Sequence, residues 1–248
     1  MKEPIIEICC GSYYDALQAA YGGAKRIELN SALMLGGLTP GTATLKLVKQ
    51  NIPDLKVITM VRPRGAGFCY SKEEFTVMEA ECLELLENGT DGIAFGCLQQ
   101  DGKLDIEKNN RLLSLIKMYN KEAVFHRAFD IVPDPFEAME ELIRMGVDRV
   151  LTSGLQAKAV DGAKIIKELQ ERYGTQIEIL AGSGINASNA RRLMEETGIW
   201  QVHSSCKDWI TDPTTKANGV SYSMVSGEAE MMYDVVSAKL VEQLLAAI

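Results

Sequence analysis

The sequence predicts an α/β protein with a single (β/α)8 TIM barrel, formed by one domain over residues 1–248. Three observations support this fold class. Eight short apolar runs are spaced along the chain, a helix-like segment follows each of them, and 248 residues is a typical length for this barrel. Because no gap between these segments is long enough to hold a linker, we expect one domain.

The eight runs are the predicted strands, and each ends in polar or reactive side chains. In chain order they cover residues 5–10, 26–30, 57–62, 92–97, 123–127, 149–153, 177–181 and 199–204. In a barrel of this kind, the side chains at the carboxyl ends of the strands build the active face. The strand ends are therefore where we look for function.

Helix start signals follow several of the predicted strands. They are the pairs Ser12 and Asp15, Thr39 and Pro40, Ser71 and Glu74, and Asp134 and Pro135. Residues 71–88 form the clearest amphipathic helix, with an apolar stripe that includes Phe75, Met78 and Cys82. These signals predict helices that begin shortly after the strands.

The segment after the last predicted strand is unusual. Residues 207–226 are polar and small, and a final helix is predicted near residues 228–247. A loop of this length is either functional or flexible, so it is a lid or mobile edge at the active face, or an insertion without a role.

Composition excludes several classes of function. The formal net charge is −8 and the isoelectric point is near 5.0, which argues against nonspecific binding of nucleic acid or an anionic membrane. The N-terminus lacks a secretory signal, and no apolar run is long enough to span a bilayer, so we expect a cytoplasmic protein. The six cysteines include no CxxC pair and are expected to be free thiols.

The alternation along the strands places an unusual set of polar side chains inside the barrel. From the strands and the segments that follow them, the candidate catalytic residues are Glu7, Glu28, Arg62, His126, Asp130 and His203. Two interpretations remain open. Glu7, Glu28, Arg62 and Arg127 form a structural network of ion pairs, or these groups form a site in which they tune one another.

Other residues at the strand ends suit an anion. A glycine-rich loop begins at Gly182 and opens a helix, and its backbone amides are placed to bind phosphate, although a tight turn without a ligand is an equal alternative. Arginine suits carboxylate or phosphate. The predicted substrate-binding residues are Arg64, Arg127, Ser153, Gly182, Ser183, Gly184 and Ser204.

Cysteines also lie near several strand ends. Thiolates with a histidine suit a soft ion such as Cu(I), and the predicted metal ligands are Cys9 and Cys10. The alternative is that these cysteines are ordinary small buried residues.

Several strings together resemble the CutC copper-homeostasis family over nearly the whole chain. They are residues 26–29, 36–40, 62–65, 125–130 and 151–154. The resemblance implies a cytoplasmic TIM barrel that handles copper and is often oligomeric. It also implies that cysteines at the ends of the first two strands bind copper. Cys9 matches the first of these positions, whereas Asn30 stands at the second.

The sequence thus leads to a copper-homeostasis protein of the CutC type, with a copper ion as its partner and Cys9 and Cys10 as ligands. The alternative is an enzyme that acts on a small anionic or phosphorylated substrate at the strand ends. A third hypothesis is a barrel with a purely structural role.

Overall fold

The computed structural model describes residues 3–248, and its eight parallel strands close into a barrel in chain order. The strands are β1 (Ile5–Cys10), β2 (Arg26–Leu29), β3 (Lys56–Met60), β4 (Gly92–Phe95), β5 (Glu122–Phe125), β6 (Arg149–Thr152), β7 (Glu178–Gly182) and β8 (Gln201–Ser204). The predicted fold class is confirmed, and every predicted strand is present.

Helices alternate with these strands around the outside of the barrel. They are α1 (Tyr13–Tyr21), α2 (Thr42–Asn51), α3 (Lys72–Glu87), α4 (Ile106–Met118), α5 (Pro135–Met145), α6 (Ala163–Tyr173), α7 (Ala190–Thr197) and α8 (Ala238–Ala246). Three short 3-10 segments cover Leu33–Leu35, Arg127–Ile131 and Gly227–Ala229. Within residues 3–248, no helix has the length and apolar character needed to cross a bilayer.

Three of the four predicted helix start signals are confirmed. Ser71 and Glu74 form a reciprocal capping box at the start of α3, and Ser12 and Asp134 cap α1 and α5. The signal at Thr39 is wrong. Its hydroxyl donates to the Arg62 carbonyl oxygen and to Glu81, and α2 begins only at Thr42.

The interior of the barrel is divided into an apolar half and an ionic half. The apolar half lies on β3, β4 and β5 and consists of Ile58, Met60, Ala94 and Val124. In the ionic half, Arg26 pairs with Glu7 at 2.7 Å and donates to Gln201 at 2.7 Å. Gln201 in turn donates to Glu178, which pairs with Arg149. Because every charge in this half has a partner, the ions are tolerated in a buried position.

The strand register places polar residues of β1 beside polar residues of β2 and β8. Glu7 on β1 lies beside Arg26 on β2 and beside His203 on β8, and Cys9 lies beside Glu28. The strand β1 is therefore the centre of the polar site.

The segment after β8 differs from its prediction. It forms β9 (Lys207–Thr211), β10 (Lys216–Ala217), β11 (Val220–Ser221) and β12 (Met232–Val236), and β9 pairs with β12 as an antiparallel ribbon. The final helix was predicted to begin near residue 228, which is wrong, because β12 occupies residues 232–236. Asp15 fixes the end of the ribbon by accepting the Val236 N–H at 2.8 Å.

Candidate functional site

A cavity of about 330 Å³ opens at the carboxyl ends of the strands. The predicted residues that line it are Cys9, Glu28, Arg62, His126, Arg127, Ser183, Gly184, His203 and Ser204. Those that lie outside its lining are Glu7, Cys10, Arg64, Asp130, Ser153 and Gly182. The strand ends thus converge on one cavity, as the sequence predicts for this fold.

Three potential metal ligands lie together on one side of the cavity. The ligand atoms of Cys9, Glu28 and His203 are all within 4.8 Å of one another. They come from the adjacent strands β1, β2 and β8. We call these three residues the thiol cluster.

The orientation of His203 is fixed from below by Glu7. Their side chains form a hydrogen bond of 2.9 Å between Nδ1 and Oε1, so that Nε2 is left for the cavity side. Burial alone would raise the pKa of Glu7, but Arg26 and His203 lower it to about 2. Burial likewise disfavours charge on His203, yet hydrogen bonds with Cys9 and Glu7 raise its pKa well above the ordinary value.

The other two members of the thiol cluster favour their neutral forms. Burial raises the pKa of the Cys9 thiol although His203 opposes the change, and burial raises the pKa of Glu28. Asn30 links the two, because its amide group donates to Glu28 Oε1 at 3.0 Å and lies 3.6 Å from Cys9 Sγ. Asn30 therefore supplies a hydrogen-bond donor where the family resemblance implies a second thiol.

His126 lines the cavity in a different state from His203. Its Nδ1 accepts the Ala128 backbone N–H at 3.2 Å, and the Nε2 atom is buried without a partner in the described part of the chain. Burial and the nearby charge of Arg62 lower the pKa of His126 to about 3. The imidazole is therefore neutral at physiological pH, with its proton on Nε2.

Arg62 ties two loops together at the rim of the cavity. Its guanidinium donates to the carbonyl oxygens of Leu35, Gly37 and Ala66 at 3.1, 3.1 and 2.6 Å. The guanidinium carbon also lies 4.9 Å from the centre of the Phe68 ring. Arg62 thus shapes the cavity mouth with most of its donors.

Asp130 anchors the end of β6 and lies outside the cavity lining. Its two carboxylate oxygens accept hydrogen bonds from Arg127, Thr152, the side chain and backbone of Ser153, and the Leu155 backbone. Arg127 also donates to Ser153 Oγ at 2.8 Å. These hydrogen bonds occupy both carboxylate oxygens of Asp130, so that neither oxygen is directed at the cavity. The contacts of Asp130 are therefore with the loop after β6 and not with the cavity.

The remaining predicted residues take several positions. Arg64 pairs with Glu74 outside the cavity, and Cys10 is fully buried on the outer face of β1, away from the thiol cluster. Ser183 and Ser204 line the cavity but donate their hydroxyls to the carbonyl oxygens of Ala157 and Ile185. Gly182 leaves space for its neighbours, since a Cβ there would lie 2.7 Å from Leu151 Cδ1 and 3.3 Å from the Cβ of His203.

The proposed structural network of Glu7, Glu28, Arg62 and Arg127 is wrong as a single unit. Glu7 pairs with Arg26 and His203, and Arg127 pairs with Asp130. Within residues 3–248, neither Glu28 nor Arg62 forms a salt bridge.

Several residues that line the cavity are outside the predicted set, among them Phe68, Lys207 and Asp234. Phe68 lies in the glycine-rich loop after β3, and its ring centre is 5.0 Å from that of His126. Lys207 and Asp234 form an ion pair of 2.8 Å across the β9–β12 ribbon. The strand β12 reads Met-Tyr-Asp-Val-Val, which lacks the apolar alternation of a half-buried strand, so no periodic signal in the sequence marks it.

Comparison with known proteins places the chain among relatives of one kind. A family model described as CutC family matches residues 4–208. A family protein CutC of Treponema denticola is 46% identical over 222 residues, which cover 90% of this chain and 89% of the relative. The copper homeostasis protein cutC homolog of Mus musculus is 38% identical over 231 residues, covering 93% of this chain and 84% of the relative.

A solved structure agrees with these relatives. It is the crystal structure of a protein described as copper homeostasis protein CutC, from Streptococcus agalactiae, with 30% identity and a TM-score of 0.77. The match covers 82% of this chain and 98% of that one. The chain therefore belongs to the CutC family.

Proposed function

We propose that this protein serves copper homeostasis by binding Cu(I) at the thiol cluster, with Cys9 Sγ and His203 Nε2 as ligands and Glu28 beside them. The observation that carries the proposal is the convergence of the three ligand atoms within 4.8 Å. Relatives named copper homeostasis proteins support the choice of metal.

The chemistry of the donors fits this ion. A thiolate and an imidazole are the soft and intermediate ligands that Cu(I) accepts, whereas a hard ion such as Mg²⁺ prefers oxygen. A carboxylate that orients a ligating histidine, as Glu7 orients His203, is the usual support of a metal site. Cys10 is buried on the other face of β1, so the proposed site has one thiol.

Competition with a Cu(I) chelator tests the proposal. We expect Cys9→Ser to weaken binding by about a hundredfold, because a hydroxyl is a poor ligand for a soft ion. Binding by the wild type should strengthen as pH rises, since Cu(I) displaces protons from two groups, Cys9 and His203, whose pKa values are raised. Equal and negligible affinity in both proteins would contradict the proposal.

A substitution of Asn30 tests the same site by a gain of Cu(I) affinity. Asn30→Cys places a second thiol beside Cys9, at the point where the Asn30 amide now lies 3.6 Å from Cys9 Sγ. We expect this variant to bind Cu(I) more tightly than the wild type. An unchanged affinity would argue that Cys9 takes no part in binding.

A second candidate function is an enzyme that acts on a small anionic or phosphorylated substrate. Two observations favour it: the cavity is much larger than a metal ion needs, and Glu28 Oε2 and His126 Nε2 are buried without a partner among residues 3–248. A buried acid with a raised pKa, such as Glu28, suits proton transfer. Thermal stabilisation by a panel of phosphorylated and carboxylate compounds, followed by turnover assays with Glu28→Gln, tests this candidate.

Other proposals follow from the sequence and the family. We expect the protein to be cytoplasmic and to form a homo-oligomer, which fractionation and light scattering would measure. We also retain Ser183 and Gly184 as a proposed contact for an anion, because both line the cavity.

A further inference from the structure

Arg62 carries a buried positive charge, and no carboxylate within residues 3–248 forms a salt bridge with it. It is 5% exposed, its hydrogen-bond acceptors are backbone carbonyl oxygens, and the neutral side chain next to it is that of Tyr70. Its Nε atom is buried without a partner in the described part of the chain. A buried ion without a counter-ion is costly, so this guanidinium is prepared for a negative charge from outside the chain.

His126 supplies a second unpaired donor in the same cavity. The side chain is 2% exposed, and the Ala128 N–H occupies Nδ1, which leaves the proton on the unpartnered Nε2. The ring packs closely over Gly96, where a Cβ would lie 2.7 Å from both Nδ1 and Cε1 of His126. The orientation of this donor is therefore fixed by packing.

Phe68 lies close to both donors. Its ring centre is 4.9 Å from the Arg62 guanidinium carbon and 5.0 Å from the centre of the His126 ring. All three side chains line the cavity. The arrangement therefore combines two N–H donors with the apolar surface of the Phe68 ring. Pockets that bind small organic ligands are mostly apolar and use a few such polar groups to orient the ligand.

We propose that Arg62, Phe68 and His126 form a subsite for the carboxylate group of a small organic acid. Arg62 Nε–H and His126 Nε2–H each donate to the carboxylate, whose single negative charge matches the single guanidinium charge. The rest of the acid extends into the cavity toward Glu28. This inference rests on the second candidate function, the small anionic substrate, and is independent of copper binding.

The chain has only two histidines, so protein labelled with ¹⁵N-histidine allows a direct binding test by NMR. Pyruvate and succinate at millimolar concentrations should shift the His126 Nε2–H resonance and reach saturation. Pyruvamide, which has the shape of pyruvate but no charge, should leave the resonance unchanged. Inorganic phosphate should bind more weakly than pyruvate.

Variants distinguish the role of the His126 Nε2–H donor from a change in the local structure. His126→Asn retains an acceptor for the Ala128 N–H but lacks the Nε2 donor, and we expect it to bind pyruvate about tenfold more weakly by calorimetry. Arg144→Gln is the control, because it removes an exposed arginine of α5 that pairs with Glu141 and lies outside the cavity lining, and it should bind like the wild type.

Several results would overturn the subsite. They are the absence of a His126 shift with either acid, equal binding of pyruvate and pyruvamide, tighter binding of phosphate, or unchanged affinity in His126→Asn. If carboxylates bind but no compound is turned over, the proposed subsite stands and only the proposal of an enzyme is refuted. Loss of Cu(I) binding would affect neither result.

Discussion

The two histidines lie in one cavity, yet their surroundings drive their charges in opposite directions. His203 and His126 are 8% and 2% exposed, so burial disfavours charge on both. His203 faces the ionised Glu7, which raises its pKa, whereas His126 faces a backbone N–H and Arg62, and its pKa falls to about 3.

This difference shows that the hydrogen-bonding and charged partners of a buried imidazole, and not its degree of burial, decide whether the ring is charged. At the thiol cluster, a charged histidine beside a thiol can exchange protons for a metal ion. At the Arg62 subsite, a neutral histidine acts as a fixed donor. One cavity thus has a side suited to a cation and a side suited to an anion.

The largest expected effect comes from removing the partner of His203. Glu7→Gln leaves Arg26 and His203 without their buried carboxylate, and we expect the free energy of unfolding to fall by about 3 to 5 kcal/mol. Urea denaturation at neutral pH measures this change. The pKa of His203 should fall in the same variant.

Glu28→Gln is the matched control inside the same barrel. Glu28 has a raised pKa and forms no salt bridge with the residues that the structure describes. Glutamine keeps an oxygen that accepts from Asn30, so we expect a loss below about 1 kcal/mol. Equal losses in the two variants would mean that the ion pairs of Glu7 do not distinguish it from Glu28.

An intermediate effect concerns stability in acid. Folding lowers the pKa of His126, so between about pH 6.5 and 3 the unfolded chain binds a proton that the folded chain does not. The contribution of His126 to the free energy of unfolding is therefore complete above about pH 6.5 and is lost as pH falls toward 3. Each pH unit costs about 1.4 kcal/mol. Between about pH 7 and 4.5, the stability of the wild type relative to His126→Asn should fall by about 2 to 3 kcal/mol. A constant difference would show that His126 titrates normally.

The smallest expected effect concerns the packing against His126. A Cβ at Gly96 would lie 2.7 Å from the His126 ring, so Gly96→Ala should destabilise the fold by about 1 to 3 kcal/mol through overpacking. The variant should also displace His126 and weaken pyruvate binding. Gly67→Ala is the control for the added methyl group, because a Cβ at Gly67 meets open space, and it should change stability little. Gly146→Ala is unsuitable as a control, because Gly146 has a positive φ that alanine disfavours.

The fold and part of the cavity lining were predictable from the sequence, because strands of a barrel bring their carboxyl ends together. The partners of these residues were not predictable. Asp130 follows β5 as His126 does, but its carboxylate turns to the backbone of Ser153. The β9–β12 ribbon lacks a continuous apolar run, so its strands are visible only through their pairing.

The ¹⁵N NMR spectrum of the two imidazole rings between about pH 5 and 8 tests their opposite charge states most directly. We expect one ring to stay neutral with its proton on Nε2, assigned to His126 through loss of its signals in His126→Asn. We expect the second ring to stay charged through neutral pH, because Glu7 and Cys9 raise the pKa of His203. Two rings that titrate together near pH 6.5 would contradict both expectations.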